Sequence, residues 1–183
     1  MSMGMSPDVV LDGIPGWRGA TFRELTGGLT NRTLQVEKGG RRAVLKIDPA
    51  PRKPPFNSRQ EEARIQQRAA ALGRANGVLH VRDTVLLSEW ADGEVWTRDH
   101  FDDDTNLVRL GHALREVHRL PLTGHTFDAA AAARLYASRV READREAARQ
   151  YLAVVESSPG PMNLCCCHND LVAENIISTP DIL

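Results

Sequence analysis

Several features that mark broad functional classes are missing from this sequence. No stretch approaches the roughly 20 apolar residues that a membrane helix needs. Residues 1–15 lack a basic segment followed by an apolar one, so no secretory signal is expected and a cytoplasmic location is the default. Neither sign of charge dominates: 23 Lys and Arg stand against 24 Asp and Glu, a net charge of −1. That balance gives no global field for holding nucleic acid or an anionic membrane. The only cysteines are three consecutive residues, Cys165, Cys166 and Cys167. There is no C-x-x-C spacing, and adjacent residues of a strand point to opposite faces. The expectation is therefore small apolar side chains on a buried strand rather than a zinc site or a disulfide framework. Aromatic residues make up only 5% of the chain, and Trp17, Trp90 and Trp96 all precede its helical half.

What is present suits a folded protein. A hydrophobic content of 42% over 183 residues fits one domain with a real core or two small lobes. Thr33 to Glu37 and Arg42 to Ile47 both alternate apolar and polar residues around Lys38-Gly39-Gly40-Arg41, which predicts a β-hairpin. Four prolines between Asp48 and Pro55 require a loop. Ser58, with Glu61 three residues on, predicts a capped helix running to about Leu72 and stopped by Gly73. Val78 to Val81 and Thr84 to Trp90 predict a second hairpin. Asp104 or Thr105 caps a further helix, with Leu107, Leu110, Leu114, Val117 and Leu120 at helical spacing and Pro121 at its end. Asp128 to Glu156 reads as one long helix or a broken pair. Asn163 to Cys167 and Ile176-Ile177 read as short strands. Strands, one helix, more strands and then helices predict an α+β fold in two lobes, divided near Ala91.

The sharpest local feature is His168-Asn169-Asp170-Leu171-Val172-Ala173-Glu174-Asn175, of the form H-x-D-x-x-x-x-N, the catalytic-loop pattern of kinases. The spacing has a chemical reason. An aspartate must accept or orient the proton of a substrate hydroxyl, and an asparagine five residues later must turn back to ligate magnesium beside the transferring phosphate. Lys46, in the last strand of the first hairpin, lies where a kinase lysine contacts nucleotide phosphates. Glu62 lies in the following helix, where the partner of that lysine belongs; Glu61 points about 100° away, so only one of the two can face the strand. Thr26 to Asn31 sits between the first two strands, and its glycines would let backbone amides approach a phosphate, although it is not G-x-G-x-x-G. Each feature has a plainer reading: a polar loop, a solvated strand lysine, a surface glutamate, a hairpin turn. Their order along the chain favours the chemical one.

Gly28-Leu29-Thr30-Asn31, Val44-Leu45-Lys46-Ile47, and His168-Asn169-Asp170-Leu171 with Asn175-Ile176-Ile177 resemble the choline/ethanolamine kinase family, a branch of the aminoglycoside-phosphotransferase-like group with a protein-kinase-like fold. The resemblance runs from about Leu25 onward. It implies ATP and Mg2+ as cofactors and a small-molecule alcohol as acceptor, with residues 1–90 as a nucleotide-binding lobe and residues 91–183 as a partial helical lobe. It implies Asp170 as catalytic base, Asn175 as magnesium ligand, Lys46 on the α- and β-phosphates and Glu62 holding Lys46. Gly28, Leu29, Thr30 and Asn31 would cover the nucleotide. Ser88, Glu89 and Trp90 would line the adenine pocket through backbone groups, and His168 would brace the loop.

The chain departs from that family in two respects. The family continues to a second magnesium aspartate in an Ile-Asp-Trp-like strand. Here Asp181 is the only aspartate beyond Asn175, and it is expected to lie too close to Asn175 to serve, so the helical lobe and its metal site are expected to be incomplete. The aromatic cage expected for a quaternary ammonium acceptor is not visible in the helical half. Two other readings follow: an aminoglycoside-type acceptor drawn to the acidic run Asp102-Asp103-Asp104, and a nucleotide-binding pseudokinase without catalysis.

Overall fold

A computed structural model of the chain describes residues 5–25, 31–122, 126–158, 160 and 163–179. Its first half is built on an antiparallel sheet of five strands: β1 (Thr21–Glu24), β2 (Arg32–Lys38), β3 (Arg41–Ile47), β4 (Val78–Arg82) and β5 (Val85–Glu89), in the order β1-β2-β3-β5-β4. Both expected hairpins form. β2 and β3 pair from Arg32 with Ile47 to Lys38 with Arg41, and Gly39 and Gly40 both take positive φ at the tip, where a side chain would be strained.

The alternation along these strands divides the sheet into two faces. Leu34, Val36, Ala43, Leu45, Ile47, Val85 and Leu87 form one buried face, packed with Val10, Leu11, Ile14 and Trp17. Those last four residues belong to the short helix α1 (Pro7–Asp12) and the turns after it, which sequence periodicity did not reveal. Lys46, one residue from buried Leu45, emerges on the opposite face. That face meets helix α2 (Arg59–Ala70), whose Gln66 amide donates to Ser88 Oγ at 2.8 Å. The start of α2 is the expected capping box: Ser58 Oγ accepts from Glu61 N, and the Glu61 carboxylate accepts from Ser58 N at 2.8 Å.

The second half carries α3 (Asp104–His118), α4 (Ala129–Ala137) and α5 (Arg145–Ser157). The Ala-rich stretch is therefore the broken pair, interrupted by a 3-10 turn at Glu142–Asp144. The break falls after Ser138, whose hydroxyl donates to Leu135 O at 2.7 Å; no proline or glycine marks it.

A small sheet pairs β6 (Glu94–Val95) with β7 (Ile177–Ser178) and returns the end of the described chain to its middle. Trp96 seals that junction. It is buried with Leu110, Ala173 and Ile176. Its backbone N–H donates to Ile176 O at 2.9 Å, and its indole N–H donates to Ser178 Oγ at 2.7 Å. Gly93 is required there, because a Cβ at that position would overlap the Ser178 carbonyl oxygen and the Ile177 side chain. No helix among the described residues is long and apolar enough to cross a membrane.

Candidate active site

The loop from His168 to Asn175 is held from both ends by backbone hydrogen bonds and by one side chain. Val172 N–H donates to Asp170 O at 3.0 Å and Asn175 N–H to Val172 O at 3.1 Å, while Ala173 and Ile176 are buried below. Asn169 takes the left-handed conformation at φ 61°, which asparagine tolerates better than most residues, and so turns Asp170 outward. The Asn175 side-chain amide then donates twice to Asp170, to its backbone O and to its carboxylate Oδ2, both at 2.9 Å. One carboxylate oxygen is thereby fixed, and Oδ1 makes no other hydrogen bond among the described residues. An exposed aspartate so oriented can accept a proton from an incoming hydroxyl.

Two oxygens, Asn175 Oδ1 and the Asp170 carboxylate, are hard ligands of the kind magnesium takes along with waters and phosphate. The donor set fits that ion. His168 takes no part in the bracing expected of it: it is exposed and makes no side-chain hydrogen bond among the described residues. The bracing falls to Asn175, because its amide reaches both the backbone and the side chain of Asp170.

On the α2 face of the sheet, Lys46 Nζ lies 3.8 Å from Glu62 Oε1, so the lysine and the preferred glutamate do meet. Glu62 is held more closely by two arginines. Arg59 Nη1 donates to its Oε2 at 2.7 Å and Arg52 Nη1 to the same oxygen at 2.9 Å. Arg59 is fully buried and also forms a two-pronged pair with buried Asp48, Nε to Oδ2 at 2.7 Å and Nη2 to Oδ1 at 2.8 Å. The cluster thus joins three cations (Lys46, Arg52, Arg59) to two anions (Asp48, Glu62) and keeps one positive charge in excess, with Lys46 partly open to solvent. Such an excess suits a polyanionic phosphate chain. Sequence reasoning missed Asp48, Arg52 and Arg59. The spacing of Arg59 and Glu62, three apart on one helix face, was the signal available.

The adenine-lining segment divides. Ser88 is buried, with its hydroxyl turned to Gln66. Glu89 uses both backbone groups within the chain: its N–H donates to Gly77 O at 2.8 Å, and its C=O accepts from Asn76 Nδ2 at 2.9 Å. Both backbone groups of Glu89 are thus already engaged by Gly77 and Asn76, in the turn that leads into β4. Trp90 is half-buried, with the Arg42 guanidinium 5.5 Å from the centre of its ring. Asn31 Oδ1 accepts from Thr33 Oγ1 at 2.9 Å. Gly28, Leu29, Thr30 and Asp181 lie outside the described residues. Among the described residues no direct contact joins the Lys46 cluster to Asp170. The two halves are tied instead by Arg74 to Glu116 at 2.6 Å and by Arg68 to Pro121 O at 2.6 Å.

The sequence profile of the phosphotransferase enzyme family (APH) matches residues 21–183. No curated protein matches the chain in sequence. Among solved structures, the chain is similar to an ethanolamine kinase from Plasmodium vivax, with a TM-score of 0.58 and 14% identity over 92% of this chain and 55% of that one. It is also similar to a choline kinase from Cryptosporidium parvum, with a TM-score of 0.62 and 15% identity over 95% of this chain and 60% of that one. The chain thus spans between half and two thirds of the length of either structure. At such identities the likeness establishes the fold: a protein-kinase-like α+β arrangement with an antiparallel N-terminal sheet followed by helices.

Proposed function

The chain belongs to the phosphotransferase enzyme family, and on that premise we propose that it supports ATP-dependent transfer of a phosphoryl group to the hydroxyl of a small molecule of the choline or ethanolamine kind. The observation that carries this reading is the Asp170–Asn175 brace, which holds a carboxylate outward at one end of an H-x-D-x-x-x-x-N loop. Asp170 orients the acceptor hydroxyl and takes its proton. Asn175 fixes Asp170 and would offer its remaining amide oxygen to magnesium. Lys46 offsets negative charge on the phosphates, and Glu62, anchored by Arg59 and Arg52, sets where Lys46 stands. When bound, ATP supplies the phosphoryl group and Mg2+ neutralises the charge that develops on it. The protein's contribution is positioning and fixed charge rather than covalent chemistry.

The acidic run that favoured an aminoglycoside-type acceptor has a structural occupation. Asp103 Oδ1 accepts from Thr105 N at 2.7 Å and caps α3, whose first turn holds Asp104. A non-catalytic nucleotide-binding role draws support from Glu62, which sits nearer its arginines than Lys46.

One experiment separates these readings. The chain is incubated with Mg-ATP and, in turn, choline, ethanolamine, thiamine and an aminoglycoside, and the phosphomonoester of each acceptor is sought by mass spectrometry. Phosphocholine or phosphoethanolamine is the expected product. A phosphorylated aminoglycoside alone would shift the acceptor class. Nucleotide binding with no phosphomonoester from any acceptor would leave the non-catalytic reading standing.

A further inference from the structure

The three cysteines do not form the buried strand that their apolar neighbours suggest. Only Cys166 is buried, and Cys165 and Cys167 are exposed, in an extended segment that joins no ladder. Extended backbone sends residues two apart to the same side. The two exposed thiols accordingly share a face, with their sulfurs 3.4 Å apart. The third member comes from elsewhere in the chain. The Cys166 thiol points back to Leu120 O at 3.7 Å and Pro121 O at 3.5 Å, which pins this segment against the C-terminal end of α3. His118 stands in the last turn of that helix. One ring nitrogen of His118 and the sulfurs of Cys165 and Cys167 all lie within 4.8 Å of one another.

We propose that His118, Cys165 and Cys167 form a binding site for Zn2+, with water in the fourth position. The donor chemistry is that of zinc: two thiolates and one imidazole, a soft set that magnesium and calcium do not favour. With metal–ligand distances of about 2.0–2.3 Å, tetrahedral donor atoms sit roughly 3.3–3.8 Å apart. The present spacing therefore needs only small side-chain rotations to close. Two further features of the place suit a cation. The end of α3 carries the negative pole of the helix dipole. All three donors are exposed, so an ion can enter without opening the core.

The site's position gives it a consequence. Cys167 immediately precedes His168 and lies three residues before Asp170. A bound ion would tie the segment entering the Asp170 loop to α3, at a distance from the ligand proposed for magnesium.

The test uses the whole chain, with its thiols kept reduced by a phosphine. Co2+ is titrated in, followed by Zn2+, and the thermal midpoint is measured with and without Zn2+. The expected result is one equivalent of Co2+ with a near-ultraviolet thiolate-to-cobalt band, displaced by Zn2+, and a higher midpoint with Zn2+. Cys165→Ser, Cys167→Ser and His118→Ala alter exposed positions. Each is expected to weaken Zn2+ binding by at least about 100-fold, since loss of mere outer-shell partners costs metal sites about 10–100-fold. Three results would overturn the proposal: no stoichiometric binding, binding without the thiolate band, or binding that survives the serine variants while circular dichroism shows them folded.

Discussion

Arg59 shows how much one side chain can carry. It is fully buried and, like Arg52, touches both Asp48 and Glu62, but through shorter contacts of 2.7–2.8 Å. Replacing it with methionine keeps the volume but leaves Asp48, also buried, without its main counter-ion. Breaking a buried pair in this way costs about 3–5 kcal/mol. Arg59→Met is therefore predicted to lower the urea midpoint sharply, whereas Arg52→Met, on a partly exposed side chain, should lower it much less. His80 makes a second prediction at this scale. Its Nε2 is buried without a partner among the described residues, and burial, followed by the charge of Arg82, pulls its pKa below the ordinary 6.5. Between that value and the lower folded-state value, the unfolded chain takes up a proton that the folded chain refuses. Stability should therefore fall as pH drops through 6.5 and level off once the folded chain is also protonated. A stability–pH series should show this limb, and His80→Gln should flatten it. Apart from the Arg59–Glu62 spacing, none of these partners could be read from the sequence. Asp48, Arg52 and Arg59 read there as loop and helix surface, because only tertiary packing turns Arg59 inward.

Elements were more legible than partners, and the exceptions have physical causes. The Gly-Gly hairpin, the Ser58 capping box and the α3 periodicity are local signals: each depends on residues within one turn of one another, and each formed. Helix α1 has six residues, too few for periodicity to register, though it places Val10 and Leu11 under the sheet. The break between α4 and α5 carries no proline or glycine. The H-x-D-x-x-x-x-N loop was legible as a motif, but the partner that braces Asp170 was not: the expected histidine stands in solvent and Asn175 takes its place. The zinc-competent face of Cys165 and Cys167 was hidden for a similar reason, since His118 meets it only after the chain folds back on α3. The β6–β7 pairing yields a prediction at this scale. Gly93→Ala puts a methyl group onto the Ser178 carbonyl and the Ile177 side chain. The variant is predicted to loosen β7 and expose Trp96, seen as a red shift in tryptophan emission and faster amide exchange at Ile177. Unchanged emission and exchange would show that the strand approach is less tight than described.

Across the whole molecule, the two buried clusters do not consume all the large apolar side chains. Leu107 and Val108 of α3, Tyr151 and Val154 of α5, and Leu171 and Val172 beside Asp170 remain exposed, Tyr151 at 74%. Tyr151 also lines an apolar groove between α4 and α5 with Tyr136, Val140, Leu152 and Val155. Exposed apolar surface of this kind favours association. The chain alone is predicted to self-associate with rising concentration on a sizing column, and Tyr151→Lys with Val154→Glu should shift it toward monomer; a monodisperse monomer at high concentration would contradict this. The central claim concerns the Asp170 loop. Its most direct test is steady-state ADP release by this chain with Mg-ATP and a choline-type acceptor, set beside Asp170→Ala. The account predicts acceptor-dependent turnover that falls by about 10²–10⁴-fold in the variant, the usual loss when a positioned base is removed. Acceptor-dependent turnover that is unchanged in Asp170→Ala, or no turnover with any acceptor, would contradict it.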